Sequence, residues 1–393
     1  MPIQSSSILK NTGPKQDLKY WAWNNVSSSS NRKYLAHPNG EDSFILSNEG
    51  ISRVGLDGRI VWTRPSYVGS SIDAALDSSG NIYVLDSNGP VIKYDISGAY
   101  IWGKSLDTNG TFYPYAITVG SAGNVYIVGK DNNEGVLIKL TSSGGHSWSR
   151  KVLNTVFFEE VSADEAVGRV YVGGFGNSNG VLIGFDTNGT IQWQKSLGSG
   201  TNSGYVTGVQ AVSNSVYVIF RGAYNNGMSI IFKYSSGGSF VDVSGGVYGA
   251  VGYNISYGGL SNFKIDQSNG NFIITYAEGT VRKYTSGFSS IAGGKFVSNY
   301  GRSADVDTDG NIYVQTGNIY AKLKGDMSGA GIYGSMNYSA TAGGSHSLNN
   351  GYQYFQATSS FSISSFSSVS TALSILPIFG TAPTGEFIII RTK

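Results

Sequence analysis

One sentence is written about seven times along this chain, and the repetition restricts the fold more than any other feature. Gly80-Asn81-Ile82-Tyr83-Val84 leads through Val91-Ile92-Lys93-Tyr94-Asp95 and Gly98 to Ile101-Trp102. Gly123-Asn124-Val125-Tyr126-Ile127 leads through Val136 to Leu140 and Gly144 to Trp148, and Gly168-Arg169-Val170-Tyr171-Val172 leads through Val181 to Asp186 and Gly189 to Trp193. A shorter copy runs from Ser43-Phe44-Ile45-Leu46 through Val54 to Gly58 and Trp62. Weaker copies centre on Val216-Tyr217-Val218, Phe272-Ile273-Ile274 and Ile312-Tyr313-Val314. From the aromatic of one copy to the next, the steps fall near forty to forty-six residues, with a single step of fifty-six between 217 and 273. Each unit holds four β-branched or aromatic runs separated by Gly, Asn, Asp and Ser, which supply turns and positive φ. That period, with several short strands per unit, is the signature of a β-propeller.

Seven units predict an all-β, seven-bladed propeller. Its ring must close, because open blades would leave unpaired strand edges. The seventh unit has no Trp strand after Leu323, and the N-terminus has one to spare in Leu18-Lys19-Tyr20-Trp21-Ala22-Trp23. Trp23 precedes Phe44 by 21 residues, as Trp62 precedes Tyr83. The spacing predicts that an N-terminal strand completes the last blade. It also places Trp23, Trp62, Trp102, Trp148 and Trp193 at one repeated position, as wedges between blades. The expected division is a tail over 1–16, the propeller over 17–328, and a Ser/Gly-rich β segment over 329–393 that packs on the rim or docks to a larger assembly.

Charged residues make up 13% of the 393, about half the usual quarter, and the net charge is +2. No basic cluster points to nucleic acid or an anionic membrane. No run approaches the length of a membrane span, and no secretory h-region is visible near the start, so membrane insertion is not expected. Cysteine is absent, which removes disulfides, thiolate catalysis and Cys metal sites together. From Met327 to Gly385 there is no Asp, Glu, Lys or Arg, while Ser, Gly, Ala and aromatics dominate.

The sequence shows no nucleophile elbow, phosphate loop or dinucleotide fingerprint. His37, His146 and His346 occur in unrelated contexts and read as surface residues. Asp305, Asp307 and Asp309 before Gly310 resemble the start of a calcium loop, but Thr316 stands where the bidentate acid belongs, so a hairpin turn is the plainer reading. No cofactor is expected, calcium at this turn being the one candidate. Glu159-Glu160 reads as a solvated loop.

Loop lengths carry more. Gly129 to Gly135, Gly173 to Gly180, Phe220 to Met228, Ser105 to Tyr115 and Asp242 to Gly259 read as long connections on one face, opposite short turns such as Asp95 to Gly98. Function on a propeller lives in such loops. These carry Phe112, Tyr113, Tyr115, Arg221, Tyr224, Tyr248, Tyr253 and Tyr257, a set whose aromatic faces suit sugar rings and protein partners alike.

The run Asp-x-x-Gly-x-x-x-Trp (Asp95, Gly98, Trp102; Asp186, Gly189, and Trp193) resembles the repeats of pyrroloquinoline-quinone-type propellers. Gly-Asn-x-Tyr-Val, then Lys-Tyr-Asp or Lys-Leu, then Gly and Trp, more closely resembles the bacterial repeat called SBBP. The resemblance covers roughly 42–325. It implies a surface or secreted bacterial protein or a phage structural protein, and neither repeat carries catalytic residues itself. The expected function is a non-enzymatic structural or adhesive propeller on a bacteriophage tail or capsid surface, meeting host glycans or other virion proteins. A bacterial cell-surface or secreted scaffold is the alternative. A lyase, hydrolase or quinone dehydrogenase is the third reading, and it requires acids, His or Arg at the axial channel.

Overall fold

The computed structural model describes residues 21–340 apart from 25–30, 41, 57, 59, 68, 107–111, 153–155, 177–178, 198–203, 223–228, 244–259, 277–279, 287–289, 297–300, 317–318, 328–330 and 334–335. Seven antiparallel sheets follow one another in chain order. Blades 1 to 6 have their innermost strands at Asn31–Ala36, Ser71–Leu76, Phe112–Val119, Val156–Asp164, Gly204–Val212 and Leu260–Ile265. Blade 7 is built from Gly301–Val306, Ile312–Thr316 and Ile319–Leu323, and its fourth strand is the N-terminal Trp21–Asn24. The predicted closure is therefore present.

Its register differs in one detail. In blades 1 to 4 the repeated Trp lies opposite the third-strand residue Arg53, Lys93, Lys139 or Gly184. In blade 7 the residue opposite the equivalent Lys322 is Trp21, and Trp23 lies opposite Tyr320. The count of 21 misled because the passage into blade 1 is longer, including an extra residue in the turn between His37 and Asp42.

Among the described residues, seven hydrophobic clusters fill the ring, and each straddles one pair of neighbouring blades. The core is thus a set of seven seams. The seam between blades 7 and 1 is aromatic, with Tyr34 meeting Tyr313 and Tyr320 edge-on at 5.7 and 5.6 Å. At the rim, the Trp indoles clasp the next blade. Trp62, Trp102, Trp148 and Trp193 donate from Nε1 to the carbonyls of Ile96, Ser142, Thr187 and Ser236, at 3.0, 3.2, 3.1 and 2.9 Å. The Gly of each receiving turn has φ near +80° and lies under the indole; a Cβ on Gly238 would approach Trp193 to 2.5 Å. The Asp-x-x-Gly-x-x-x-Trp run is hence a joint: its Gly accepts the preceding blade's ring and its Trp reaches the following one.

The innermost strands leave an open backbone edge along the axis, and unpaired amides there would be costly. The preceding blade supplies the caps. Ile117 N donates to Asp73 Oδ2, Ala211 N to Ser162 Oγ, Ile265 N to Gln210 Oε1, Tyr34 N to Ser303 Oγ and Ala36 N to Asp305 Oδ2, while Lys33 Nζ donates to Ala74 O.

Past Met327 the chain adds Met336–Ala340 and Gly331–Tyr333 to the outer edge of blade 6, making that sheet six-stranded. Residues 341–393, including His346, lie outside the described residues.

Candidate binding face

All seven innermost strands carry a register shift near their start, spanning Asn31/Lys33, Ser71/Asp73, Pro114/Ala116, Phe158/Glu160, Val206/Gly208, Leu260/Asn262 and Gly301/Ser303. A bulge bends the strand and re-aims the side chains beside it. The backbones come close there: a Cβ on Gly174 would sit 1.9 Å from Phe157 O, and one on Gly129 would sit 2.2 Å from Tyr113 O.

The loops expected over 129–135 and 173–180 are mostly strand. Val125–Asp131 pairs with Glu134–Leu140 around a two-residue turn, and Arg169–Gly176 pairs with Asn179–Asp186. Their glycines adopt extended backbone and let the ladder continue. Blades 3 to 5 are taller as a result. Their innermost strands have 8, 9 and 9 residues, against 6 in blades 1, 2, 6 and 7. Aligned on the bulge, the extra residues fall at the strand starts, on the face where the inter-blade connections arrive. Two residues at each of these starts raise this sector by about 7 Å.

The raised sector repeats an arrangement. Tyr113, Phe157 and Tyr205 hold the same place, one residue before the bulge pair, and lie opposite Lys130, Phe175 and Arg221. Lys130 Nζ sits over the Tyr113 ring at 5.4 Å and over Phe157 of the next blade at 5.1 Å. Arg221 lies over Tyr205 at 5.9 Å. Tyr113 is 56% exposed and Tyr115 38%. At the tip, Lys151 pairs with Asp131 at 2.8 Å and Glu134 at 3.1 Å, bracing the Asn132-Asn133 turn.

Of the residues singled out from sequence, Tyr113, Tyr115 and Arg221 stand on this sector. Phe112 does not: it is 8% exposed and turned into the seam between blades 2 and 3, because side chains alternate along the strand and Tyr113 takes the outward side. Tyr224, Tyr248, Tyr253 and Tyr257 lie outside the described residues. Lys130, Phe157 and Tyr205 were missed, since a loop reading hid the strand register that aligns them.

Two further readings change. Glu159-Glu160 is no solvated loop; it belongs to the innermost strand of blade 4, beside the channel. Enclosure by protein pushes the Glu160 carboxyl up to about 8, reinforced by the Asp73 and Glu159 charges and opposed by Lys33. Burial likewise raises Glu159, with Lys130 opposing. Burial alone would lower Lys33, but its 2.7 Å pair with Asp73, helped by Glu160 and Asp305, raises it. His37 is buried at 5% rather than on the surface, with Nδ1 accepting from Asn39 N at 3.0 Å. It occupies the turn position that Asp77 holds in blade 2, where Asp77 accepts from Ser79 N.

Of the three aspartates of the 305–309 run, Asp305 turns away from the other two, whose carboxylates both approach Gly40. Asp305 caps Ala36 N and pairs with Lys264 at 3.0 Å. Asp307 accepts from Asp309 N, Asn311 N, Asn311 Nδ2 and Tyr313 OH. Among the described residues, no three His, Cys, Asp or Glu side chains gather as metal ligands do. No helix of the described residues is long and apolar enough to cross a membrane.

The family model described as outer membrane protein assembly factor BamB matches residues 47–252. No curated protein matches the sequence. Among solved structures, the chain is similar to hydrazine synthase from Kuenenia stuttgartiensis, with a TM-score of 0.61 and 12% identity, covering 76% of this chain and 96% of that one. It is similar also to the Dos1 propeller, with a TM-score of 0.56 and 12% identity, covering 77% of this chain and 94% of that one. At that identity the likeness concerns the fold alone.

Proposed function

Because the chain belongs to the family whose model is described as outer membrane protein assembly factor BamB, we propose that it is a non-enzymatic binding scaffold whose raised sector, blades 3 to 5, is the contact surface. The observation that carries this reading is the aromatic arc, exposed at Tyr113 and Tyr115 and half-buried at Phe157 and Tyr205, with cations laid on its rings and built on strands rather than loops. Rings held on a rigid sheet lose little freedom on contact, which favours binding. We place the scaffold on a virus particle, at a phage tail or capsid surface, meeting host-surface glycans. The SBBP-type repeat pattern and the uncharged stretch 327–385, a docking segment toward other virion proteins, support that placement. The strand pairing of Met336–Ala340 on blade 6 gives the segment a fixed point of departure.

Mass spectrometry of purified particles tests the placement: a fixed ratio to shell proteins that survives a salt wash is expected. Absence from particles, with the chain found on cells, returns the reading to a bacterial surface scaffold. Host-cell binding by the purified chain tests the surface, and the Tyr113→Ala/Tyr115→Ala double variant should lose it while remaining folded.

A further inference from the structure

The chemistry of the arc selects among contact partners. Tyr113, Phe157 and Tyr205 hold equivalent positions in three consecutive blades, so their rings recur at roughly the 10 Å spacing of packed sheets. Lys130 spans the first interval, since its Nζ contacts both Tyr113 and Phe157. Arg221 lies at the far end, over Tyr205. Among the described residues neither cation forms a salt bridge, whereas Lys151 on the same blade is paired twice. A cation resting on rings keeps N–H donors free for an anion. Of the nearby acids, Glu159 interacts with the Lys130 charge without forming an ion pair with it among the described residues, while Glu160 is turned toward Lys33 and Asp73 instead. Beside the arc, Asn132 and Asn133 are exposed at the tip of the tall hairpin and offer paired donors and acceptors.

Resting on the binding reading above, we propose that the arc over blades 3 to 5 binds an acidic polysaccharide, sugar rings stacking on Tyr113 and its successors and carboxylates meeting Lys130 and Arg221. Repeated flat rings suit a repeating flat-faced ligand, and two separated cations suit a polymer with regularly placed charge. The exposed asparagines suit its hydroxyls.

Isothermal titration of the full chain tests this with three probes: a galacturonic acid oligomer, the galactose oligomer of equal length, and a glutamate oligomer. The galacturonic acid oligomer should bind, and more weakly as salt rises. Lys130→Gln and Arg221→Gln should each weaken it roughly tenfold, the scale of a lost hydrogen bond to a charged group. Gln192→Ala, on the outer strand of blade 4 and away from the arc, should leave it unchanged. Equal binding of the neutral oligomer, or of the glutamate oligomer, overturns the assignment to acidic polysaccharide. Failure of all three probes while the chain still binds host cells overturns this inference and leaves the scaffold reading standing. Failure to bind cells as well removes both.

Discussion

Blade 3 lacks the carboxylate that organises the inner turn in blades 2 and 7, and blade 4 supplies it. In blade 2, Asp77 accepts from Ser79 N, Asn81 N, Asn81 Nδ2 and Tyr83 OH. In blade 7, Asp307 does the same for Asp309 N, Asn311 N, Asn311 Nδ2 and Tyr313 OH. The corresponding residue of blade 3 is Gly120. Glu165, on the short 3-10 turn Glu165–Val167 of blade 4, enters the space: it accepts from Ala122 N at 2.6 Å, Asn124 Nδ2 at 2.8 Å and Tyr126 OH at 2.8 Å. A Cβ on Gly120 would lie 2.2 Å from Glu165 Cδ. Glu165→Ala leaves the hydroxyl of the fully buried Tyr126 without its acceptor, while the exposed Ala122 amide turns to water. Hydrogen bonds to charged groups are worth about 1.5–3 kcal/mol, so with Asn124 the loss should reach about 3 kcal/mol. Gly120→Asp alone should also destabilise, by about 1–2 kcal/mol, through crowding and like charge against Glu165. Combined, the two changes rebuild the arrangement of blades 2 and 7, and the double variant should lie within about 1 kcal/mol of wild type, a coupling of about 3–5 kcal/mol. Urea unfolding of the four proteins measures this. Additivity to within about 0.5 kcal/mol would refute the substitution of one carboxylate for the other.

Trp193→Ala removes the clasp to Ser236 O and uncovers Gly238; the ring is only part-buried, so the loss should be about 2–3 kcal/mol by urea unfolding, below the full cost of a buried indole. Burial, with Asp86 and Asp164 nearby, pushes Tyr94 and Tyr171 up to about 12 from 10.0. The folded state therefore holds those protons more tightly than the unfolded state, and stability should be intact below pH 10 and fall as pH rises toward 12; a flat alkaline melting profile would contradict this. The raised Glu160 carboxyl destabilises the fold progressively as pH climbs from the ordinary carboxyl value of 4.5 through about 8. Glu160→Gln should accordingly raise the melting temperature more at pH 9 than at pH 5.

The fold was legible because its determinants are local and repeated. The aromatic of most second strands (Tyr in five of the seven blades), the turn Gly and the outer Trp recur at near-regular intervals, and each has one task at a seam. What escaped was register. Nothing in Phe157-Phe158-Glu159-Glu160 announces a bulge, and without the bulge neither the alignment of Phe157 with Tyr113 nor the inward place of Glu160 can be read. Gly129 and Gly173-Gly174 resembled loop punctuation, yet they sit in strands, where missing side chains permit close backbone approach. The exchange between Gly120 and Glu165 was equally invisible, since the two belong to different repeats and meet only once the blades stack.

The clasps and the inner turns share one end of the ring. Both the 3–4 turns that receive Trp62, Trp102, Trp148 and Trp193 and the 1–2 turns organised by Asp77, Glu165 and Asp307 lie opposite the tall sector. Mutational drift is therefore unevenly tolerated. Changes at the jointed end tend to break the ring, whereas strand tips on the other end can lengthen, shorten or exchange residues while every joint stays intact. A lineage under pressure to track a changing receptor could rewrite that surface blade by blade and keep its frame.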